Sequence, residues 1–159
     1  MTHSELVAAA TKWLAVRHPL IITEMATTGE EPDALGFRSR STTLVECKTS
    51  RSDFLADSKK LERRRPAMGK GNYRLYLCER CVILPEELPS AWGLLWVVGA
   101  RMYVKKKPVW QTSNMRAEMQ MLVSLARRLG YSQPEGVSIK FYTHRTRNRA
   151  GVSVDIQEG

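Results

Sequence analysis

The sequence predicts an α/β domain: a mixed central β-sheet flanked by helices. Three observations carry this. Short runs of β-branched and apolar residues alternate with stretches of helical periodicity. The elements follow the order helix, three strands, helix, strand, short bend, two strands, helix. The chain has 159 residues, the length of one domain at about 100–200 residues each.

Each element has a local reason. Ser4, followed by Glu5, Leu6, Val7, Ala10, Trp13 and Leu14, reads as a capped amphipathic helix. It ends near His18, because the residue before Pro19 avoids helical backbone. Leu20 to Met25 is a short strand, 27–32 a turn, and Asp33 to Phe37 a second strand. Arg38 to Ser41 is a polar hairpin loop leading into a third strand, Thr43 to Lys48. The segment 49–52 offers capping side chains, and Asp53 and Asp57 place acids in the first turns of a helix expected to run to about Arg65. Tyr73 to Cys78 is a strand and 85–89 a bend. Gly93 to Val98 is a buried strand, with Arg101 to Lys105 paired to it at the edge. Ser113 to Leu129 is the clearest helix, with Met115, Met119, Leu122, Leu125, Ala126 and Leu129 at helical spacing and Gly130 as its cap. No internal repeat or linker splits the chain.

Composition excludes several classes. Hydrophobic residues at 43% and charged residues at 26% rule out collagen-like, coiled-coil and wholly disordered chains. The longest uncharged apolar run, Ala91 to Ala100, is short of the roughly 20 residues a membrane helix needs. No basic region followed by an apolar stretch opens the chain, so no secretory signal is expected. Three cysteines make no disulfide framework and suit a reducing compartment. The expectation is a soluble protein of the cytoplasm, in a bacterial or phage-infected cell, with no membrane partner.

The net charge of +9 is unevenly spread. The first 33 residues hold five acids and two bases, so the excess lies beyond them. Lys59, Lys60, Arg63, Arg64, Arg65, Lys70 and Arg74 form one basic block, Arg101, Lys105, Lys106 and Lys107 a second, and Lys140, Arg145, Arg147 and Arg149 a third. A polyanion is the natural partner, since each neutralised phosphate releases a condensed counterion. Nucleic acid is therefore the expected partner, with a solvated basic surface as the alternative.

The stretch that carries chemistry is Pro32-Asp33, then twelve residues, then Glu46-Cys47-Lys48. In a strand, Glu46 and Lys48 project from one face and Cys47 from the other. A short hairpin can set Asp33 opposite Glu46, gathering two carboxylates and an ammonium. Asp33 and Glu46 supply the oxygen ligands that Mg²⁺ prefers, Mn²⁺ being its usual substitute. Such an ion polarises a phosphoryl oxygen and acidifies water. Lys48 can position or deprotonate water, or neutralise phosphate. The Cys47 carbonyl and, from the first helix, Glu5 are further candidate ligands. No organic cofactor is called for.

This arrangement resembles the PD-(D/E)XK nuclease superfamily, in its motif residues and in its helix–strand–strand–strand–helix–strand order. The run from Glu46 to Lys59 is similar to the MmcB-like branch of DNA-repair nucleases, where an acid-x-lysine strand enters a helix opening with Asp-Phe. The strand from Tyr73, the bend at Leu84-Pro85-Glu86 and the strand from Gly93 look like that branch too. The resemblance covers about residues 1–130; the segment 131–159 is a basic extension without a counterpart. It implies a restriction-endonuclease-like core and metal-dependent endonucleolytic hydrolysis of DNA, in repair, recombination or the processing of phage and mobile-element DNA. Asp33 and Glu46 then act as ligands, Lys48 as the catalytic lysine, and Glu5 as the acid that some members carry on the first helix. A double-strand cut would call for a homodimer. The alternatives are a catalytically silent module on this scaffold, binding DNA or a protein, and a regulatory DNA-occupying protein of a mobile element.

Other residues weigh less. Cys78 and Cys81 form a lone C-x-x-C without the second pair a structural zinc needs, and read as core or loop cysteines. Asp57 is expected to pair with Lys60 or to support the metal site. Arg51, at a helix N-terminus, either meets phosphate or is solvated. Lys59, Lys60, Arg63, Arg64, Arg65 and Lys70 are expected to track the DNA backbone. Trp92, Trp96 and Trp110 are expected in the core rather than stacking on bases, and Met115, Met119 and Met121 are expected to fill core and helix face. Lys140, Arg145, Arg147 and Arg149 read as a DNA-grasping arm or a solvated end.

Overall fold

A computed structural model describes residues 1–27 and 30–129. The chain divides into two compact units, 1–121 and 122–159. In the second, the described residues 122–129 are the last turns of a helix; Gly130, Lys140, Arg145, Arg147 and Arg149 lie outside the described residues.

The first unit opens with α1 (His3–Ala15), β1 (Leu20–Thr23), β2 (Ala34–Phe37) and β3 (Thr42–Lys48). Then come two short helices, α2 (Arg51–Asp57) and α3 (Leu61–Arg64), followed by β4 (Tyr73–Glu79). A 3₁₀ turn at Pro85–Glu87 leads to β5 (Gly93–Val98), β6 (Arg101–Lys106) and α4 (Met115–Leu129). The six strands form one mixed sheet in sequence order. β1, β2 and β3 pair antiparallel, β3, β4 and β5 parallel, and β5 with β6 antiparallel. The fold is thus the expected α/β arrangement.

Side-chain alternation sorts the sheet into two faces. Val45, Cys47, Leu75, Leu77, Leu95 and Val97 point to one side, where α1 buries Leu6, Val7, Ala10 and Leu14 against them. These α1 positions recur at helical spacing, and truncating one such leucine to alanine costs about 2–5 kcal/mol. The other face carries Glu46, Lys48 and Tyr76, all buried. Before β4 the chain turns at Gly71, with φ +84, where a Cβ would meet Leu44 Cβ at 2.6 Å. Only glycine fits there.

Three local expectations are corrected. The cap of α1 is Thr2, not Ser4; its hydroxyl accepts from the Glu5 amide while Glu5 reaches back to the Thr2 amide. The helix expected from Asp53 to Arg65 breaks: Lys60 is extended, with ψ 144, between α2 and α3. That break swings Arg63 back toward Asp57 and the sheet, and its ion pairs outweigh helix continuity. In the first unit α4 buries Ala117, Glu118 and Met121, leaving Met115 and Met119 exposed. The buried side is fixed by Glu118, which accepts from the Thr42 hydroxyl and the Gly71 amide at 2.9 and 2.8 Å.

Candidate functional site

The loop 38–41 closes the β2–β3 hairpin, with the Arg38 amide bonded to the Ser41 carbonyl. It fixes the register: the ladder ends at the Ala34–Val45 pair, and Asp33 lies one residue before β2, close enough to Glu46 for the two carboxylates to interact. The two carboxylates are brought near each other, though not as a ladder pair. Asp33 is locked by the Cys47 amide, which donates to its Oδ2 at 2.7 Å. Burial raises the Asp33 pKa, against the pull of that hydrogen bond and of Lys48.

Glu46 is deeper, with a side chain 1% exposed. Its Oε2 faces three cations: Arg63 at 3.2 Å, Lys48 at 3.4 Å and Lys60 at 4.0 Å. Its Oε1 is buried without a hydrogen-bond partner. Burial pushes the Glu46 pKa up to about 7; Asp33 and Glu30 add to this, while Arg63 and Lys48 oppose it.

Lys48 reaches Glu46 and, at 3.2 Å, Asp57 Oδ1. Burial opposes its charge, but Glu46, Asp57, Asp53 and Asp33 outweigh burial and raise its pKa. The neighbouring carboxylates thus favour the charged ammonium. Asp57 meets the expected Lys60 at 2.8 Å and also accepts from Tyr76 Oη at 2.7 Å. Tyr76 in turn stacks on Trp92, with ring centroids 4.4 Å apart. Trp92 is core as expected, Trp96 is half-buried, and Trp110 is exposed rather than in the core.

Several DNA-contact expectations are corrected. Arg63 is no surface arginine: its side chain is 2% exposed and pairs with Glu30, Glu46 and Asp57. Lys70 is fully buried, its amide donating to Glu30 Oε2 at 2.8 Å and its ammonium to the Glu30 carbonyl. Burying a cation demands such partners. Arg51 is exposed but holds Glu87, donating to Oε2 at 2.8 Å. Lys60 is half-exposed, and Lys59, Arg64 and Arg65 are exposed, as a phosphate-tracking role needs.

Glu5 does not join the acids. Its carboxylate closes the α1 capping box, and the Thr2 amide and hydroxyl hold its pKa low. The α1 residue that approaches Asp33 is His3, with Nε2 3.5 Å from Asp33 Oδ1 and 3.6 Å from Glu24 Oε1. Sequence reasoning missed His3 and Glu30. His3 stands two places before the acid that the motif pattern favours. Glu30 sits in the 27–32 turn, with nothing local to mark it.

Among the described residues, no group of three His, Cys, Asp or Glu side chains is arranged to hold a metal ion. Two carboxylates and the Cys47 carbonyl are the donors on hand. Glu46 Oε1 tests their fit to a hard cation. A buried acceptor without a partner costs about 1–3 kcal/mol, and a divalent ion bound to oxygen satisfies it. Glu46 Oε1 is thus the donor that a hard cation would satisfy.

No family model and no curated protein matches the chain. A solved structure, a protein of unknown function from Silicibacter pomeroyi, is similar in fold. Its TM-score is 0.59 at 22% identity, covering 87% of this chain and 97% of that one. Among the described residues, no helix is long and apolar enough to cross a membrane.

Proposed function

We propose that this chain is a metal-dependent DNA endonuclease of the PD-(D/E)XK kind. The observation that carries the reading is the approach of Asp33, held by the Cys47 amide just before β2, to Glu46, whose Oε1 is buried and unpartnered. The order α1, β1, β2, β3, then the helical segment α2–α3, then β4 follows the order the motif resemblance implies. Asp33, Glu46 Oε1 and the Cys47 carbonyl would hold Mg²⁺ or Mn²⁺. When bound, that ion supplies polarisation of the phosphoryl group and water of lowered pKa.

The chain's own residues do the rest. The Cys47 amide anchors Asp33 through Oδ2, while Oδ1 faces His3 Nε2 at 3.5 Å. Lys48, kept charged by Glu46 and Asp57, offsets negative charge building on the phosphate. Asp57 and Tyr76 fix that ammonium in place. Exposed Lys59, Arg64 and Arg65 hold the DNA backbone. Work in DNA repair, recombination or mobile-element DNA processing inside a bacterial cell, and action as a homodimer for double-strand cuts, belong to the same proposal.

One observation favours a second reading, a silent DNA- or protein-binding module. Arg63, Lys48 and Lys60 already neutralise Glu46 Oε2. Nicking of supercoiled plasmid, single-stranded and branched DNA under Mn²⁺ titration separates the two. The expected result is metal-dependent nicking, slowed at least about 100-fold by Asp33→Asn, Glu46→Gln or Lys48→Met, the scale of losing one preorganised transition-state charge. Salt-dependent binding with no nicks at any metal concentration establishes the module instead.

A further inference from the structure

The sheet face that carries Glu46 extends beyond Tyr76. Glu46 pairs with Tyr76, and Tyr76 with Leu94; two residues along β5, Trp96 pairs with Tyr103 of β6. Trp96 and Tyr103 therefore lie on the Glu46 face, with the Trp96 backbone about 12 Å from that of Glu46 by strand and residue spacing.

These two rings line a cleft of about 230 Å³ together with Arg80, Val98 and Lys105. Trp96 is held by its indole N–H, which donates to the Ile83 carbonyl at 2.9 Å. The Lys105 ammonium lies over its ring, 4.9 Å from the centroid. Tyr103 is 45% exposed, and Arg80 and Lys105 are exposed as well. Two aromatic rings, two cations and no acid make up the polar and aromatic lining.

That chemistry selects a ligand with flat rings and anionic links between them. A core packing role accounts for the fixed indole, but not for an exposed tyrosine paired with it on an edge strand and sharing a cleft with two cations. Bases in a duplex are stacked on one another and offer no free face, whereas unpaired bases do. We propose that the Trp96–Tyr103 cleft is a stacking site for bases of single-stranded nucleic acid, with Arg80 and Lys105 on the flanking phosphates. An incoming base replaces the Lys105 ammonium over Trp96, and the ammonium moves to phosphate. Placed on the face of Glu46, the cleft makes single-stranded or flapped DNA the substrate class; this last step alone rests on the nuclease reading.

The test is fluorescence anisotropy with the full chain in EDTA, so that binding is read apart from any metal-dependent cut. Probes are labelled 20-mers of oligo(dT) and oligo(rU) and a blunt 20-bp duplex. The parent is expected to prefer the single strands. Tyr103→Ala is expected to weaken their binding by about tenfold, the scale of one lost base–aromatic stack, with duplex binding within about twofold of the parent. Trp96→Leu is expected to do the same, and thermal melting confirms that both variants fold. The tighter of oligo(dT) and oligo(rU) identifies the source of the strand. Equal losses on single strand and duplex, or no loss with Tyr103→Ala, overturn the stacking site. Strand binding that depends on Tyr103 in a protein that never nicks DNA upholds the cleft and removes only the nuclease.

Discussion

Lys48 Nζ lies 3.2 Å from Asp57 Oδ1, so the residue that ends α2 grips the one that ends β3. Asp57 also holds Lys60, Arg63 and the Tyr76 hydroxyl. Burial disfavours its charge, but Arg63, Lys60 and Tyr76 outweigh burial and hold the carboxyl well below the usual carboxylate range. Asp57→Asn strips the negative charge from two buried cations. Breaking a buried pair in this way costs about 3–5 kcal/mol. Urea unfolding at pH 7 is expected to show that loss. A carboxyl with a depressed folded pKa stabilises above its unfolded value and loses this as pH falls. The gap between parent and Asp57→Asn therefore narrows below about pH 4. A loss under about 1 kcal/mol at pH 7 would mean the pair is no better than an exposed one.

Arg63 and its neighbours Arg64 and Arg65 are adjacent in sequence and opposite in role. Arg63 is inside the carboxylate cluster and also lies over the Trp92 ring, 4.6 Å from its centroid. Arg63→Ala leaves Glu30, Glu46 and Asp57 without their shared cation, and is expected to destabilise by about 3–5 kcal/mol. Arg64→Ala and Arg65→Ala, at exposed positions, are expected to change stability by less than about 0.5 kcal/mol. Each should lower the slope of log K against log salt for duplex DNA by about 1. Melting curves and a salt titration on the three variants check this. An Arg63→Ala protein as stable as its parent contradicts the buried position.

The strands and the approach of Asp33 to Glu46 were legible because they are local. A four-residue loop between alternating strands sets a register, and a register sets which side chains meet. The fate of the basic block was not legible. Arg63 and Lys70 read as surface charge because their partner Glu30 lies 33 and 40 positions away. Charge along a chain says nothing about who closes on whom across a fold. The same holds for Arg74, fully buried, whose guanidinium donates to the carbonyls of Pro66, Gly69, Gly71 and Thr112. In α4 the apolar period suggested that Met115 and Met119 face the core; the polar contacts of Glu118 turned the helix the other way. Glu5 fitted the pattern of an acid on the first helix, but its nearest available donor was the Thr2 amide.

The three cysteines sit in different surroundings. Cys47 and Cys78 are buried on β3 and β4, and Cys81 is exposed in the turn after β4. Burial raises the Cys78 thiol to about 11 and pushes Cys47 up further, with Asp33 and Glu46 adding to the effect there. Thiolate is the reactive species. With an aromatic disulfide reagent at pH 8, one thiol per chain is expected to react in the native state and all three in denaturant. Cys81→Ser should abolish the native reaction. Rapid reaction of two or three native thiols would show that the sheet interior is open.

Glu46 gives the stability a pH slope of opposite sign to that of Asp57. Its carboxyl titrates at about 7 when folded, against 4.5 for the free group, because burial penalises the anion. Between those values the folded chain holds a proton that the unfolded chain has released. Linkage then makes folding most favourable at the acid end of the window and weaker as pH rises through it. Asp33, also raised by burial, acts in the same direction. In EDTA, the melting temperature is expected to fall by a few degrees between about pH 5 and 7.5. Glu46→Gln cannot ionise, so its melting temperature should vary less over the same window. Asp57 acts only below about pH 4; His18, whose pKa burial lowers, opposes the slope within the window in parent and variant alike, so the difference between the two reports Glu46. A parent melting temperature that rises across this window, with Glu46→Gln tracking it, would mean that Glu46 ionises as an ordinary solvated carboxylate.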